Sequence, residues 1–286
     1  MRTVSRLLLL LLCTQGVNAA MAQIKVDCQG TGDVVFLVGG GPAFTTWNLE
    51  PLQRQLRDEY RVCRWDMRGV GDNADLEISD NGPALEQWLR DMLAVLPEQP
   101  VVLWGHSWGA LQALLFAKYH PQRVKALVLN NPVDPLLASL DNIESKRYVH
   151  PGVEARLFID DIDTPAEQRH RLRSKIASYF MDAELGWSYA SGFSSKDANN
   201  ALNVRIWEEY RNKPLSMRDL HSLEPLISAL IFCKQDVLMP ENLQTYAAVI
   251  PADRLTIIDE CAHFPWVEAP EAFYKTLSRS ITEAVN

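Results

Sequence analysis

The chain has 286 residues, of which 47% are hydrophobic and 22% charged. That balance excludes a disordered or fibrous chain and suits one large α/β domain, or one domain with an insertion. Acidic residues outnumber basic ones by 36 to 28, a net charge of −8; such a surface repels nucleic acid and anionic membranes and weakly favours neutral or cationic substrates.

The first 22 residues stand apart. Arg2 and Arg6 precede six consecutive leucines, Leu7 to Leu12, and Ala20-Met21-Ala22 supplies an A-x-A site. This is the anatomy of a secretory signal peptide cleaved after Ala22. Its apolar core is short for a bilayer span, so a lasting membrane anchor is not expected. Leu12 before Cys13 argues against a lipoprotein. Loss of the leader takes the net charge to −10 and leaves Cys28, Cys63, Cys233 and Cys261. An even number of cysteines in an exported chain permits two disulfides, and no C-x-x-C pair points to a metal or redox motif.

Residues 24–28 alternate as a half-buried strand, and 34–38 form a continuous apolar strand ending in Gly39-Gly40-Gly41-Pro42. A helix is predicted over 49–58, a strand over 60–65, a loop over 66–72 and a helix over 83–96. A strand over 101–104 follows Pro100, and a helix over 110–120 is stopped by Pro121. Residues 125–130 read as another buried strand. From 133 to 224 the alternation breaks into helix-like, charge-rich stretches. Strands then return at 226–232 and 254–258, with helices over 241–250 and 269–284. The expected architecture is α/β: a mostly parallel, doubly wound sheet, 23–132 and 225–286, carrying a helical cap over 133–224.

Between the strand at 101–104 and its helix lies Gly105-His106-Ser107-Trp108-Gly109. G-x-S-x-G at a strand–turn–helix junction describes a serine held on a tight turn with its hydroxyl above the sheet edge. An ordinary corner with an incidental serine is the plain alternative. A serine hydroxyl needs a base in reach, and the base needs an acid to fix its tautomer. Chain order Ser, Asp, His is supplied by Ser107, Asp236 and His263, the latter two just beyond the strands 226–232 and 254–258. Loops after parallel strands share one sheet edge, so the three can converge. Asp134 also follows a core strand and competes as the acid. His106 is set aside because its side chain should leave opposite to Ser107. The oxyanion calls for two N–H donors, expected from Trp108 and from the glycine loop at Gly41. A phosphate-cradling role for that loop lacks the G-x-x-x-x-G-K-[ST] and G-x-G-x-x-G patterns.

With Ser107, Asp236 before Met239-Pro240, and the tail His263-Phe264-Pro265-Trp266-Val267-Glu268-Ala269-Pro270-Glu271-Ala272-Phe273 in place, the chain resembles the α/β-hydrolase superfamily over its mature length. Gly40-Gly41-Pro42 and Asp66-Met67-Arg68-Gly69-Val70-Gly71 are similar to the H-G-G-P-G and D-x-R-G-x-G motifs of prolyl iminopeptidases. Gly39, Ala43 and Ala262 depart from that branch, which carries His, Gly and Gly there. The resemblance implies that Trp207-Glu208 matches a Trp-Glu pair through which Glu208 would hold a substrate ammonium; a solvated helix face is the equal alternative. It also implies neighbouring strands that would pair Cys28 with Cys63 and Cys233 with Cys261.

The reading is an exported serine hydrolase of small-molecule or short-peptide substrates, acting through an acyl-enzyme without metal or cofactor. An apolar roof is expected from Tyr148, Phe158, Tyr179, Phe180, Trp187, Phe193 and Trp207, with a place in the core of the lid as the alternative for many of them. N-terminal peptidase, esterase or lipase, and lactone or carbon–carbon hydrolase stay open, as does a non-catalytic ligand-binding protein of the same fold.

Overall fold

The computed structural model describes residues 23–79, 81–137 and 164–286. The predicted leader, and Tyr148 and Phe158 of the predicted roof, lie outside them.

Among the described residues, seven strands form one sheet in the order β1-β3-β2-β4-β5-β6-β7. They are β1 (Val26–Gln29), β2 (Val34–Val38), β3 (Arg61–Trp65), β4 (Val101–His106), β5 (Val124–Asn130), β6 (Ile227–Cys233) and β7 (Leu255–Ile258). The edge strand β1 runs antiparallel to β3; every other neighbouring pair is parallel. β4 sits mid-sheet and is buried at every position, which is why its sequence is an apolar run rather than an alternating one.

Side chains of a strand leave alternately to the two faces. Phe36 and Val38 of β2 therefore join one core cluster, and Val35 and Leu37 the other. The helices are α1 (Glu50–Leu56), α2 (Ala84–Val95), α3 (Trp108–Tyr119), α4 (Pro165–Ala177), α5 (Ala183–Ala190), α6 (Asn200–Asn212), α7 (Met217–Leu223), α8 (Glu241–Ala247), α9 (Pro265–Glu268) and α10 (Pro270–Val285). α2 and α3 cover the first face, α1 and α10 the second. α4 to α7 come between β5 and β6 in the chain.

Element boundaries shift where prolines act. The expected helix over 269–284 is preceded by a separate turn, α9, because Pro265 and Pro270 each open a helix and neither continues one. α3 begins at Trp108, two residues earlier than the apolar run suggests, because its first turn is part of the serine turn itself.

Two disulfides are present. Cys28–Cys63 joins residues that face each other directly across β1 and β3. Cys233–Cys261 joins the end of β6 to the segment after β7.

Candidate active site

Ser107 takes φ 55° and ψ −121°, a conformation that side-chain-bearing residues rarely hold. The surroundings enforce it. Ser107 N–H donates to Asn130 O, and Ser107 O accepts from Ala110 N–H. The flanking glycines are required by space. A Cβ on Gly105 would lie 2.5 Å from Ala110 Cα, and one on Gly109 would lie 2.1 Å from Val38 O. The turn thus presses α3 against the ends of β2 and β4 and leaves Ser107 at the sheet edge.

His263 and Asp236 meet at that edge. His263 Nδ1 and Asp236 Oδ2 are 2.8 Å apart, with both side chains buried. A proton on Nδ1 donated to the carboxylate leaves Nε2 free to accept one. The competing acid Asp134 is engaged elsewhere: its Oδ1 accepts from Leu136 N–H at 3.0 Å.

The backbone of His263 is held from three sides. Its N–H donates to Tyr179 O. Its carbonyl accepts from His106 Nε2 at 2.8 Å and from Asn131 Nδ2 at 3.3 Å. Asn131 also donates to Ala262 O at 3.0 Å and accepts from Cys233 N–H at 2.8 Å, so one buried amide spans the loops carrying Asp236 and His263. The Glu268 carboxylate accepts from Ala262, Phe264 and Met181 N–H groups at 3.1, 3.3 and 2.9 Å. Burial raises the Glu268 carboxyl above the usual glutamate range, and these donors counter the shift.

A sequence model described as "Alpha/beta hydrolase family" matches residues 34–276. The chain is a member of the alpha/beta hydrolase family. A proline iminopeptidase from Heyndrickxia coagulans is 22% identical over 267 residues, covering 87% of this chain and 90% of that protein. An esterase from Thermogutta terrifontis superposes with a TM-score of 0.63 at 19% identity, covering 91% of this chain and 93% of that one. A meta-cleavage product hydrolase from Pseudomonas fluorescens IP01 superposes with a TM-score of 0.64 at 17% identity, covering 91% and 94%. Those two likenesses concern the fold.

In this alpha/beta hydrolase His106 does not point away from the serine. It lines the same cavity as Ser107, with its ring 4.6 Å from that of His263. Strand alternation ends where Ser107 leaves the extended region, so consecutive side chains reach one cavity. Burial, and then the neighbouring His263, lower the His106 pKa well below the ordinary histidine value, so the ring is neutral.

The glycine loop passes beside Ser107: a Cβ on Gly40 would lie 3.5 Å from Ser107 Cβ. Gly40 and Gly41 both line the cavity, and Gly41 has φ +133°. Trp108 is the first residue of α3, while its indole is buried against Trp207 and Tyr210. The loop is braced by Asp66, which accepts from Thr46 N–H at 2.6 Å, Thr46 Oγ1 at 2.8 Å and Asp72 N–H at 2.9 Å. The D-x-R-G-x-G segment is therefore a scaffold. Its Arg68 makes a two-point pair with Asp91, both bonds 2.8 Å.

Ser107, His263 and the glycine loop border a cavity of about 400 Å³. Trp207 and Glu208 do not line it. Trp207 is committed to Trp108, 4.7 Å away centroid to centroid, and Glu208 is exposed one residue further round α6. The neighbouring Glu209 is the engaged carboxylate, accepting from Ala84 and Leu85 N–H groups at the start of α2. The aromatics expected as a roof divide between the cavity and the core. Tyr179 lines the cavity, stacked on His263 at 4.5 Å, whereas Phe180 and Phe193 are buried in the core. Arg171, Leu172, Lys175 and Ile176 supply the remaining α4 surface. Nothing in the charge pattern of α4 marked which of its many polar residues face inward. Among the described residues no three or more His, Cys, Asp or Glu side chains gather as a metal site.

Proposed function

We propose that this protein is an exported serine hydrolase that cleaves an acyl bond of a small substrate through an acyl-enzyme. The observation that carries the reading is the buried 2.8 Å contact between His263 and Asp236 beside the strained turn of Ser107. In this mechanism His263 Nε2 takes the Ser107 proton as Ser107 Oγ bonds to the substrate carbonyl carbon. The oxyanion is held by Trp108 N–H and a glycine-loop N–H, for which Gly41 is the choice. His263 then delivers the proton to the leaving group as its bond breaks. A water that has lost a proton to His263 attacks the acyl-enzyme, the ester bond to Ser107 breaks, and the proton returns to Ser107.

Residues 133–224 are read as the cap over this site. The two disulfides support export, which keeps them oxidised. The exposure of Glu208 favours an ester-type substrate over a peptide with a free amine, because no carboxylate among the described residues lines the cavity to pair with an ammonium.

A fluorophosphonate probe tests the mechanism. The expected result is a single adduct on Ser107 in the wild type, lost in Ser107→Ala and strongly slowed in His263→Ala. An unlabelled wild type, or equal labelling of Ser107→Ala, refutes it.

A further inference from the structure

We propose that the acyl portion of the substrate carries a carboxylate, recognised by Arg171 and Lys175 of α4. The inference rests on the serine hydrolase reading for its chemistry, and on the cavity for its charge. The two cations are one helical turn apart and face the cavity shared by Ser107 and His263. The cavity lining contains no Asp or Glu among the described residues. In a chain of net charge −8, the Lys and Arg side chains that line this cavity among the described residues are Arg171 and Lys175. Among the described residues Arg171 has no ion-pair partner, so a bound carboxylate would supply the one it lacks. The planar guanidinium matches a carboxylate at two points, which fixes the far end of an acyl chain.

Two further features suit an anion. α4 starts with a capping box in which Thr164 and Glu167 satisfy each other's backbone, so the helix is a firm platform. Asn200 and Asn203 in the first turn of α6 also line the cavity, at the helix end that favours negative charge. Asn203 Nδ2 is bound to Pro42 O, which ties this end to the glycine loop. A cavity of about 400 Å³ accommodates both a scissile carbonyl and a second carboxylate only on a short chain. Half-esters of dicarboxylic acids are the matching class.

The chemistry balances as ordinary ester hydrolysis. The Ser107 Oγ–acyl bond forms as the alcohol leaves with one proton, and water then releases the dicarboxylate.

The experiment compares monoethyl adipate with diethyl adipate, followed by chromatography of the acids formed, and includes adipate binding to Ser107→Ala by calorimetry. A charge-assisted pair in a partly buried site predicts a kcat/KM ratio of at least about tenfold in favour of the half-ester. The ratio is expected to approach one in Arg171→Ala, to invert in Arg171→Glu and to fall partway in Lys175→Gln. It should also shrink with added salt. Hydrolysis of diethyl adipate and labelling of Ser107, with a ratio at or below one, would overturn the carboxylate site and leave the hydrolase reading intact. Absence of labelling and of hydrolysis would remove the hydrolase reading. Adipate binding that weakens at least about tenfold in Arg171→Glu would then still support the anion site, and no adipate binding would overturn both.

Discussion

Asn131 offers the sharpest test of how the site is assembled. In Asn131→Ala the N–H of Cys233 loses its 2.8 Å acceptor, and Ala262 O loses its 3.0 Å donor. A buried N–H left without a partner costs roughly 1–3 kcal/mol. Asn131 also has φ 42°, and alanine tolerates that region about 1 kcal/mol less well than asparagine. The expected destabilisation is therefore roughly 2–4 kcal/mol, which lowers the melting temperature of a chain of this size by roughly 4–15 °C. Urea unfolding gives the stability, and the rate of fluorophosphonate labelling gives the geometry of the site. Because Asn131 spans the supports of Asp236 and His263, labelling should slow at least about tenfold under conditions where the variant is fully folded. Asn131→Asp separates the two halves of the amide. Its carboxylate keeps the Cys233 bond but faces the Ala262 and His263 carbonyls, so that variant should regain stability as the pH falls and the new acid protonates. An Asn131→Ala protein within about 0.5 kcal/mol of wild type, labelled at the wild-type rate, would refute the bridging role.

Three further outcomes are expected. Cys233→Ser, which opens a loop of 28 residues, should cost roughly 3–4 kcal/mol by chain entropy and slow labelling, read by unfolding with and without reductant. Asp66→Ala leaves Thr46 and Asp72 N–H groups without their carboxylate; it should destabilise by roughly 2–4 kcal/mol and reduce kcat through the glycine loop, whereas a value under about 0.5 kcal/mol would exclude the bracing role. His106, whose folded pKa is depressed, binds fewer protons folded than unfolded, so its contribution is present above the ordinary histidine value near 6.5 and is lost as the pH falls. Titrating wild type and His106→Gln by urea unfolding from pH 7.5 to 5.5 should show a steeper fall in the wild type, by up to about 1 kcal/mol per pH unit below pH 6.5, and parallel curves would contradict it.

The parts of this molecule legible in its sequence are those fixed by local patterns. β4 is buried at every position and β5 at all but Lys125, and G-x-S-x-G names a turn whose glycines are demanded by contacts under 3 Å. Both disulfides follow from strand adjacency once the family resemblance supplies the strand order, and the structure contains them. What stayed hidden depends on rotation about helix axes and on long-range packing. Trp207 and Glu208 are adjacent in sequence but lie about 100° apart around α6, so docking the indole on Trp108 sends the carboxylate outward. α4 is rich in basic residues, and its charge pattern does not separate Arg171 and Lys175, which line the cavity, from Arg169, which does not. Asn131 belongs to no motif, and Glu268 lies in the tail that carries the family resemblance without any local sign of the three N–H groups it accepts from. A polar Asn130-Asn131 pair closing an apolar strand just before Pro132 is the one available hint, because a buried polar group at a strand end requires partners.

The contacts of His263 bear on how such proteins can be recombined. Its N–H is bound to Tyr179 O, its ring is stacked on Tyr179, and Glu268 reaches from α9 to Met181 N–H. The segment between β5 and β6 therefore contributes to the alignment of the imidazole as well as covering it. A chimaera that exchanged this whole segment to import another specificity would sever these ties and weaken the base along with the roof. Crossover points placed on either side of residues 178–181, leaving that stretch with its own sheet, would preserve the ties while freeing α4 and α6 for exchange.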